Sequence, residues 1–173
     1  KNPEYWQAYY NRGFIKKELK DLEGSLIDYS KAIELNPKSW QAYHNRGLIK
    51  KELKDLEGAI QDYSEAIKID GNNAGFYYFR GGVRQELEDH ISAIEDFDNA
   101  IRIDPKKDYL FNSRGFSKAQ TGDYIGAIKD FSSTLSLNPN NEVAYTSRGY
   151  YKTQIGDFKG ALSDYSAAIK IDP

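Results

Sequence analysis

The sequence predicts an all-α solenoid of helix–turn–helix units, and three observations carry that prediction. A 34-residue motif recurs five times, marked by Arg12-Gly13, Arg46-Gly47, Arg80-Gly81, Arg114-Gly115 and Arg148-Gly149. Self-similarity at such a period is the signature of a repeat array and is read before any local motif. Within each copy, aromatic and small residues recur at i, i+4 and i+7, which is one face of an α-helix. Each copy closes on Pro37, Gly71, Pro105, Pro139 or Pro173, and Pro stops a helix by removing a backbone donor.

The first helix of each repeat carries Tyr9, Tyr43, Tyr77, Phe111 or Tyr145, followed four residues later by the repeat's Gly. An interior Gly costs up to about 1 kcal/mol relative to Ala. Its fivefold recurrence predicts that an aromatic of the partner helix packs over the missing side chain. The turn follows. Asp21, Asp55, Asp89, Asp123 and Asp157 are N-caps, whose carboxylates can accept from the free N–H groups of the next helix. Gly122 and Gly156 stand before two of these caps and suit the left-handed residue that ends a helix. Lys20, Lys54 and Glu88 hold that place elsewhere, which predicts slightly costlier turns. The second helix carries Ser25, Ala59, Ala93, Ala127 and Ala161. Four residues on stand Tyr29, Tyr63, Phe97, Phe131 and Tyr165, then Ala32, Ala66, Ala100, Thr134 and Ala168.

On this register the repeats run over 6–39, 40–73, 74–107, 108–141 and 142–173, with residues 1–5 as the tail of a preceding repeat. Asn2-Pro3 matches Asn36-Pro37 and Asn138-Pro139, no Met is present, and no capping helix follows the fifth repeat. Solenoids need polar capping units, so the sequence reads as a fragment of a longer array. Leu162 and Ile169 are then expected to be exposed, with end-to-end association of copies as a consequence.

The pattern resembles the tetratricopeptide repeat over the whole chain. The first-helix aromatic, the Gly, the Ala, the second-helix aromatic, the next Ala and the closing Pro stand at that family's spacing. The resemblance implies antiparallel helix pairs stacked into a right-handed superhelix. It also implies a concave groove, lined mainly by first helices, that binds peptides or partner proteins. Two departures are systematic. Arg12, Arg46, Arg80, Arg114 and Arg148 replace an apolar residue, and Lys16, Lys50, Arg84, Lys118 and Lys152 replace an aromatic. Asp28, Asp62, Asp96, Asp130 and Asp164 answer them, because charges near a packed interface are costly unless paired. The expectation is a structural ladder in which each Arg pairs with an Asp of its own or the preceding repeat. An anion-gripping Arg ladder is the competing reading.

The groove positions that the resemblance implies are Tyr10, Asn11 and Phe14, then His44, Asn45 and Leu48, then Tyr78 and Phe79. Tyr109, Asn112 and Phe116 follow, and then Tyr150. Aromatics supply contact area and amides can bond a peptide backbone. The alternative for each aromatic is packing between neighbouring helices. The family's chaperone-tail receptors clamp a terminal carboxylate with Lys, Asn and Arg; only Asn45 matches that set, so this role is not expected. An asparagine ladder is matched by Asn11 and Asn45 alone.

Composition narrows the function. Cys is absent and the net charge is −2, with an isoelectric point near 5.8. No disulfide framework or thiolate metal site is available, and non-specific nucleic-acid binding is disfavoured. No apolar run approaches the roughly 18 residues of a membrane span. His44 and His90, the two histidines, occupy non-equivalent places, unlike clustered metal ligands. His44 is expected as a groove hydrogen-bonder and His90 as a surface residue near a helix start. The carboxylates follow the repeat as caps and ion-pair partners rather than forming a catalytic dyad. No cofactor is called for. The leading expectation is a non-catalytic scaffold that binds a protein or peptide, with the cytoplasm as default compartment. A recruiting segment of a larger enzyme and a self-assembling scaffold are the alternatives.

Overall fold

The computed structural model describes residues 5–171; the expectations for Asn2-Pro3 and Pro173 lie outside them. Ten helices follow one another: α1 (Tyr5–Glu18), α2 (Leu22–Leu35), α3 (Trp40–Glu52), α4 (Leu56–Ile69), α5 (Ala74–Glu86), α6 (His90–Ile103), α7 (Asp108–Gln120), α8 (Tyr124–Leu137), α9 (Glu142–Gln154) and α10 (Phe158–Ile171). Among the described residues there is no strand. The helices form two compact bodies, Lys1–Val83 and Arg84–Pro173.

Local chemistry sets the helix ends. The five inter-helix Asp residues act as N-caps. Asp21 accepts from Gly24 N at 2.9 Å, Asp55 from Gly58 N at 3.0 Å, Asp89 from Ser92 N at 3.2 Å, Asp123 from Gly126 N at 2.8 Å and Asp157 from Gly160 N at 2.9 Å. Each bond satisfies one orphan donor. The residue before the cap adopts positive φ whatever its identity: 64° at Lys20, 66° at Lys54, 60° at Glu88, 85° at Gly122 and 81° at Gly156. At the three non-Gly positions this carries the left-handed cost of a Cβ.

The second helices of the first four repeats stop before their Pro or Gly is reached. Asn36, Asp70, Asp104 and Asn138 cap them, each N–H bonding the carbonyl four residues back at 2.8–2.9 Å. Their side chains then accept from the N–H two residues on, at 3.2–3.3 Å. These Asx turns end the helix, and the Pro or Gly one residue later prevents resumption.

In the first body α1 packs on α2, α2 on α3 and α3 on α4; in the second α6 packs on α7, α7 on α8, α8 on α9 and α9 on α10. The glycines allow close approach within pairs. A Cβ on Gly47 would lie 3.0 Å from the Tyr63 ring, on Gly115 3.2 Å from Phe131, and on Gly149 3.1 Å from Tyr165. A second stripe of the first helices meets the preceding repeat. Ala42 and Ile49, Phe76 and Val83, Leu110 and Ser117, and Ala144 and Tyr151 are all buried.

Candidate interaction surfaces

Charged residues tie each pair together. In the first, second, fourth and fifth repeats the Arg forks onto the Asp of its own second helix. Arg12 reaches Asp28 with two bonds of 2.7 Å, Arg46 reaches Asp62 at 2.8 and 2.6 Å, Arg114 reaches Asp130 at 2.8 and 2.6 Å, and Arg148 reaches Asp164 at 2.9 and 2.6 Å. The Lys four residues after the Arg joins the same carboxylate, at 3.1 Å from Asp28, 3.0 Å from Asp62, 2.9 Å from Asp130 and 2.8 Å from Asp164. In the third repeat Arg84 takes the Lys position and meets Asp96 at 2.8 Å. Bidentate, charge-assisted geometry of this kind is the strong form of the ion pair. The Asp28 carboxyl is held below its usual range by the Arg12 bonds, which outweigh its burial. Burial would push Asp164 up, but the Arg148 and Lys152 bonds prevail and hold it low.

Each guanidinium also spans outward. It lies over the aromatic three residues before it, at 5.3–5.8 Å from the ring centre, a cation–π distance. Its remaining arm reaches the preceding repeat: Arg46 to Ser30 at 3.1 Å, Arg80 to Ser64 at 2.9 Å, Arg148 to Ser132 at 3.0 Å, and Arg114 to Asp98. Arg46, Arg114 and Arg148 therefore each bond both their own and the preceding second helix. The Ser30, Ser64, Asp98 and Ser132 series was visible in the sequence at the repeat period, but nothing in it marked these residues as Arg partners.

Most groove positions of the first body touch one another. Tyr10 tilts against Tyr29 at 5.6 Å and accepts a hydrogen bond from Asn45 at 2.9 Å. His44 sits among Tyr63 (5.7 Å), Phe76 (5.5 Å) and Phe79 (4.9 Å). Phe79 stacks on Tyr63 at 5.9 Å and meets the edge of Tyr78 at 5.5 Å. Leu48 packs with Phe79 onto Ala59, Tyr63 and Val83. Asn11 and Phe14 remain exposed, with the Lys17 ammonium 5.8 Å from the Phe14 ring.

His44 departs from the expected hydrogen-bonding role: among the described residues its buried Nδ1 has no hydrogen-bond partner. The surrounding rings exclude polar groups, so burial, helped by Lys17, pulls its pKa below the usual 6.5. The expectation of a surface His90 is likewise corrected. His90 opens α6 half-buried, and its Nδ1 is buried without a partner among the described residues.

The second body has the more open set. Tyr109 on α7 and Tyr150 on α9 are 42 % and 52 % exposed. Tyr150 stands edge-on to Tyr151 at 5.0 Å. Asn112, one turn after Tyr109, has a buried Oδ1 with no partner among the described residues. Phe116 packs edge-on to Phe131 at 5.2 Å and serves the core. Gln85, which sequence reasoning did not single out, donates to Ser113 O at 3.0 Å and Ser117 Oγ at 2.8 Å.

Among the described residues no cluster of His, Cys, Asp or Glu is arranged to hold a metal ion. No helix of the described residues is long and apolar enough to cross a membrane.

Comparison with known proteins places this architecture. A search of curated proteins finds no match to this chain. Among solved structures it is similar to MamA 41-end from Desulfovibrio magneticus RS-1, at 13 % identity, TM-score 0.91 and coverage of 99 % of this chain and 96 % of that one. It is also similar to YrrB, described as a TPR protein with an unusual peptide-binding site, at 22 % identity, TM-score 0.85 and coverage of 95 % and 85 %. A third similar structure is pilF of Pseudomonas aeruginosa, at 19 % identity, TM-score 0.81 and coverage of 100 % and 79 %. At these identities the likeness establishes the fold. Family models described as tetratricopeptide repeat match residues 6–39 and 40–73, and 74–107 and 143–173. With these matches over most of its length, the chain belongs to the tetratricopeptide repeat family of all-α protein-interaction scaffolds.

Proposed function

We propose that this protein is a non-catalytic scaffold that binds an extended peptide or partner segment on its first-helix faces. The observation that carries the reading is the set Tyr109, Asn112 and Tyr150: two exposed aromatics with a buried, unpartnered amide oxygen one turn from Tyr109. The tyrosine rings offer apolar area at low side-chain entropy. In the first body Asn11 and Phe14 are exposed, while Tyr10, His44, Asn45, Leu48 and Phe79 are engaged with neighbouring side chains.

The Arg–Lys–Asp ladder is assigned a structural role. Arg12, Arg46, Arg114 and Arg148 fork onto a buried Asp of their own repeat, so an anion would have to displace that carboxylate.

The test is selection from a random peptide display library, followed by calorimetry on the selected peptides. The expected result is a selected peptide whose affinity falls about 10- to 100-fold in the Tyr109→Ala, Tyr150→Ala double variant, as for truncating two aromatic anchors, with unchanged thermal unfolding. Failure to select any peptide, or equal affinity of the double variant, would overturn the reading.

A further inference from the structure

The first helices carry one stripe of residues at i, i+3, i+7 and i+11, a single helical face, and its charge changes along the chain. On α7 the stripe is Tyr109, Asn112, Phe116 and Gln120; on α9 it is Val143, Thr146, Tyr150 and Gln154. The last stripe residue, which closes each first helix, is Glu18 on α1, Glu52 on α3 and Glu86 on α5, but Gln120 and Gln154 on α7 and α9. The residue before it changes in step, from Lys17 and Lys51 to Ala119 and Thr153. Glu to Gln keeps the shape of the side chain and removes its charge. Gln120 and Gln154 are both exposed.

The cations that α7 and α9 do carry are engaged inside their own repeats. Arg114 and Lys118 meet Asp130, and Arg148 and Lys152 meet Asp164. Asp108 and Glu142 lie at the flank of the first turn, where they accept from Asn138 and Thr146, each at 2.9 Å. From Asn112 to Gln120 and from Thr146 to Gln154 the stripe is therefore aromatic, amide and hydroxyl. Its openness belongs to the register position: Phe14, which holds the place of Tyr150 in the first repeat and has α3 packed after it, is 43 % exposed.

We infer that the segment seated on α7 and α9 is uncharged where it meets them, an extended stretch of apolar and neutral polar residues; the inference rests on the peptide-binding reading above. A charged side chain pressed onto this stripe would leave water and meet no counter-charge, which is costly. A neutral segment loses nothing of the kind. Its apolar side chains cover the rings of Tyr109 and Tyr150. Each Gln side chain both donates and accepts, so Gln120 and Gln154 can bond the N–H and C=O groups of a peptide backbone whatever its side chains are. The Lys–Glu pairs that close α1 and α3 would instead select for charge. Gln120 and Gln154 are thus the specificity-determining residues of the second body.

The experiment takes display-selected peptides whose affinity for the full chain depends on Tyr109 and Tyr150. Each is titrated by calorimetry at about 0.1 M and about 1 M sodium chloride, between which the screening length falls from about 10 Å to about 3 Å. The affinity is expected to change less than about twofold, because no ion pair is there to be screened. Each peptide is also made with Lys, and separately with Glu, in place of each residue in turn. In the wild type both are expected to weaken binding about tenfold or more at one or more positions, and neither to strengthen it at any. The Gln120→Glu, Gln154→Glu double variant restores the charge that Glu18 and Glu52 carry at the ends of α1 and α3. Equivalent helices end on that residue, so its helical circular dichroism and melting temperature should match the wild type. In it at least one Lys-substituted peptide is expected to gain about fivefold or more over its affinity for the wild type, with the matching Glu peptide bound more weakly still. Peptides that need Tyr109 and Tyr150 yet carry charge and lose affinity with salt would overturn the inference and leave the scaffold reading standing. An unchanged preference between Lys and Glu in the double variant would overturn it as well. The absence of any peptide that depends on Tyr109 and Tyr150 would overturn both.

Discussion

Asp62→Asn probes the ladder most directly. Asp62 is nearly completely buried and receives two bonds from Arg46, at 2.8 and 2.6 Å, with the Lys50 ammonium 3.0 Å away. The amide keeps one acceptor oxygen and turns its NH2 toward a cation. At least one charge-assisted bond, about 1.5–3 kcal/mol, is lost. Two cations, with side chains 18 % and 17 % exposed, are left without a counter-charge. Truncating one partner of a buried pair costs about 3–5 kcal/mol; partial solvent access of both cations brings the expected loss to about 3 kcal/mol. Asp28→Asn is the internal control. It has the same fork and the same Lys, but the Arg12 side chain is 60 % exposed and water can take over the lost bonds. The assay is urea unfolding followed by helical circular dichroism, with both variants holding the wild-type m-value so that midpoints compare stability. The expected order is wild type, then Asp28→Asn, then Asp62→Asn. Equal losses at the two sites, or a larger loss at Asp28, would refute the argument that burial of the cations sets the cost.

Gly47→Leu is expected to destabilise by at least about 2 kcal/mol: a Cβ there already lies 3.0 Å from the buried Tyr63 ring, and overpacking outweighs the roughly 1 kcal/mol of helix propensity gained. An unchanged melting temperature would contradict this. His44 makes stability pH-dependent. Its folded pKa lies below the usual 6.5, so the unfolded chain takes up a proton first and stability, fully present above pH 6.5, falls as the pH drops through that value. The slope is at most about 1.4 kcal/mol per pH unit. His44→Gln should remove that component between pH 6.5 and 5 in urea titrations, and an identical slope in the variant would count against it.

The repeat, its helix pairs and its caps were legible in the residues themselves. Arg-Gly at a fixed period, Asp21 and its equivalents before each second helix, and an aromatic four residues after each small residue all act locally. A cap bonds within three residues and a helical face closes within seven, so local chemistry suffices. Spacing alone could not decide which face of a first helix meets solvent. Phe79 and Tyr109 both read as groove aromatics, yet Phe79 stacks on Tyr63 while Tyr109 keeps 42 % of its surface exposed. Asn45 spends an N–H on Tyr10, 35 residues away, and Asn112 keeps an unpartnered oxygen. First helices such as α3 and α9 are touched by their own second helix and by the preceding repeat, and helical period ranks neither neighbour. The Arg–Asp spacing left two partners open for each Arg; packing brings the Asp of the same repeat into the fork and the Ser or Asp of the preceding repeat onto the remaining arm. Sequence by itself determined what each helix is and where it stops. Tertiary structure decided which side chains are consumed by neighbours, because that is a competition for space and hydrogen bonds between residues far apart in the chain.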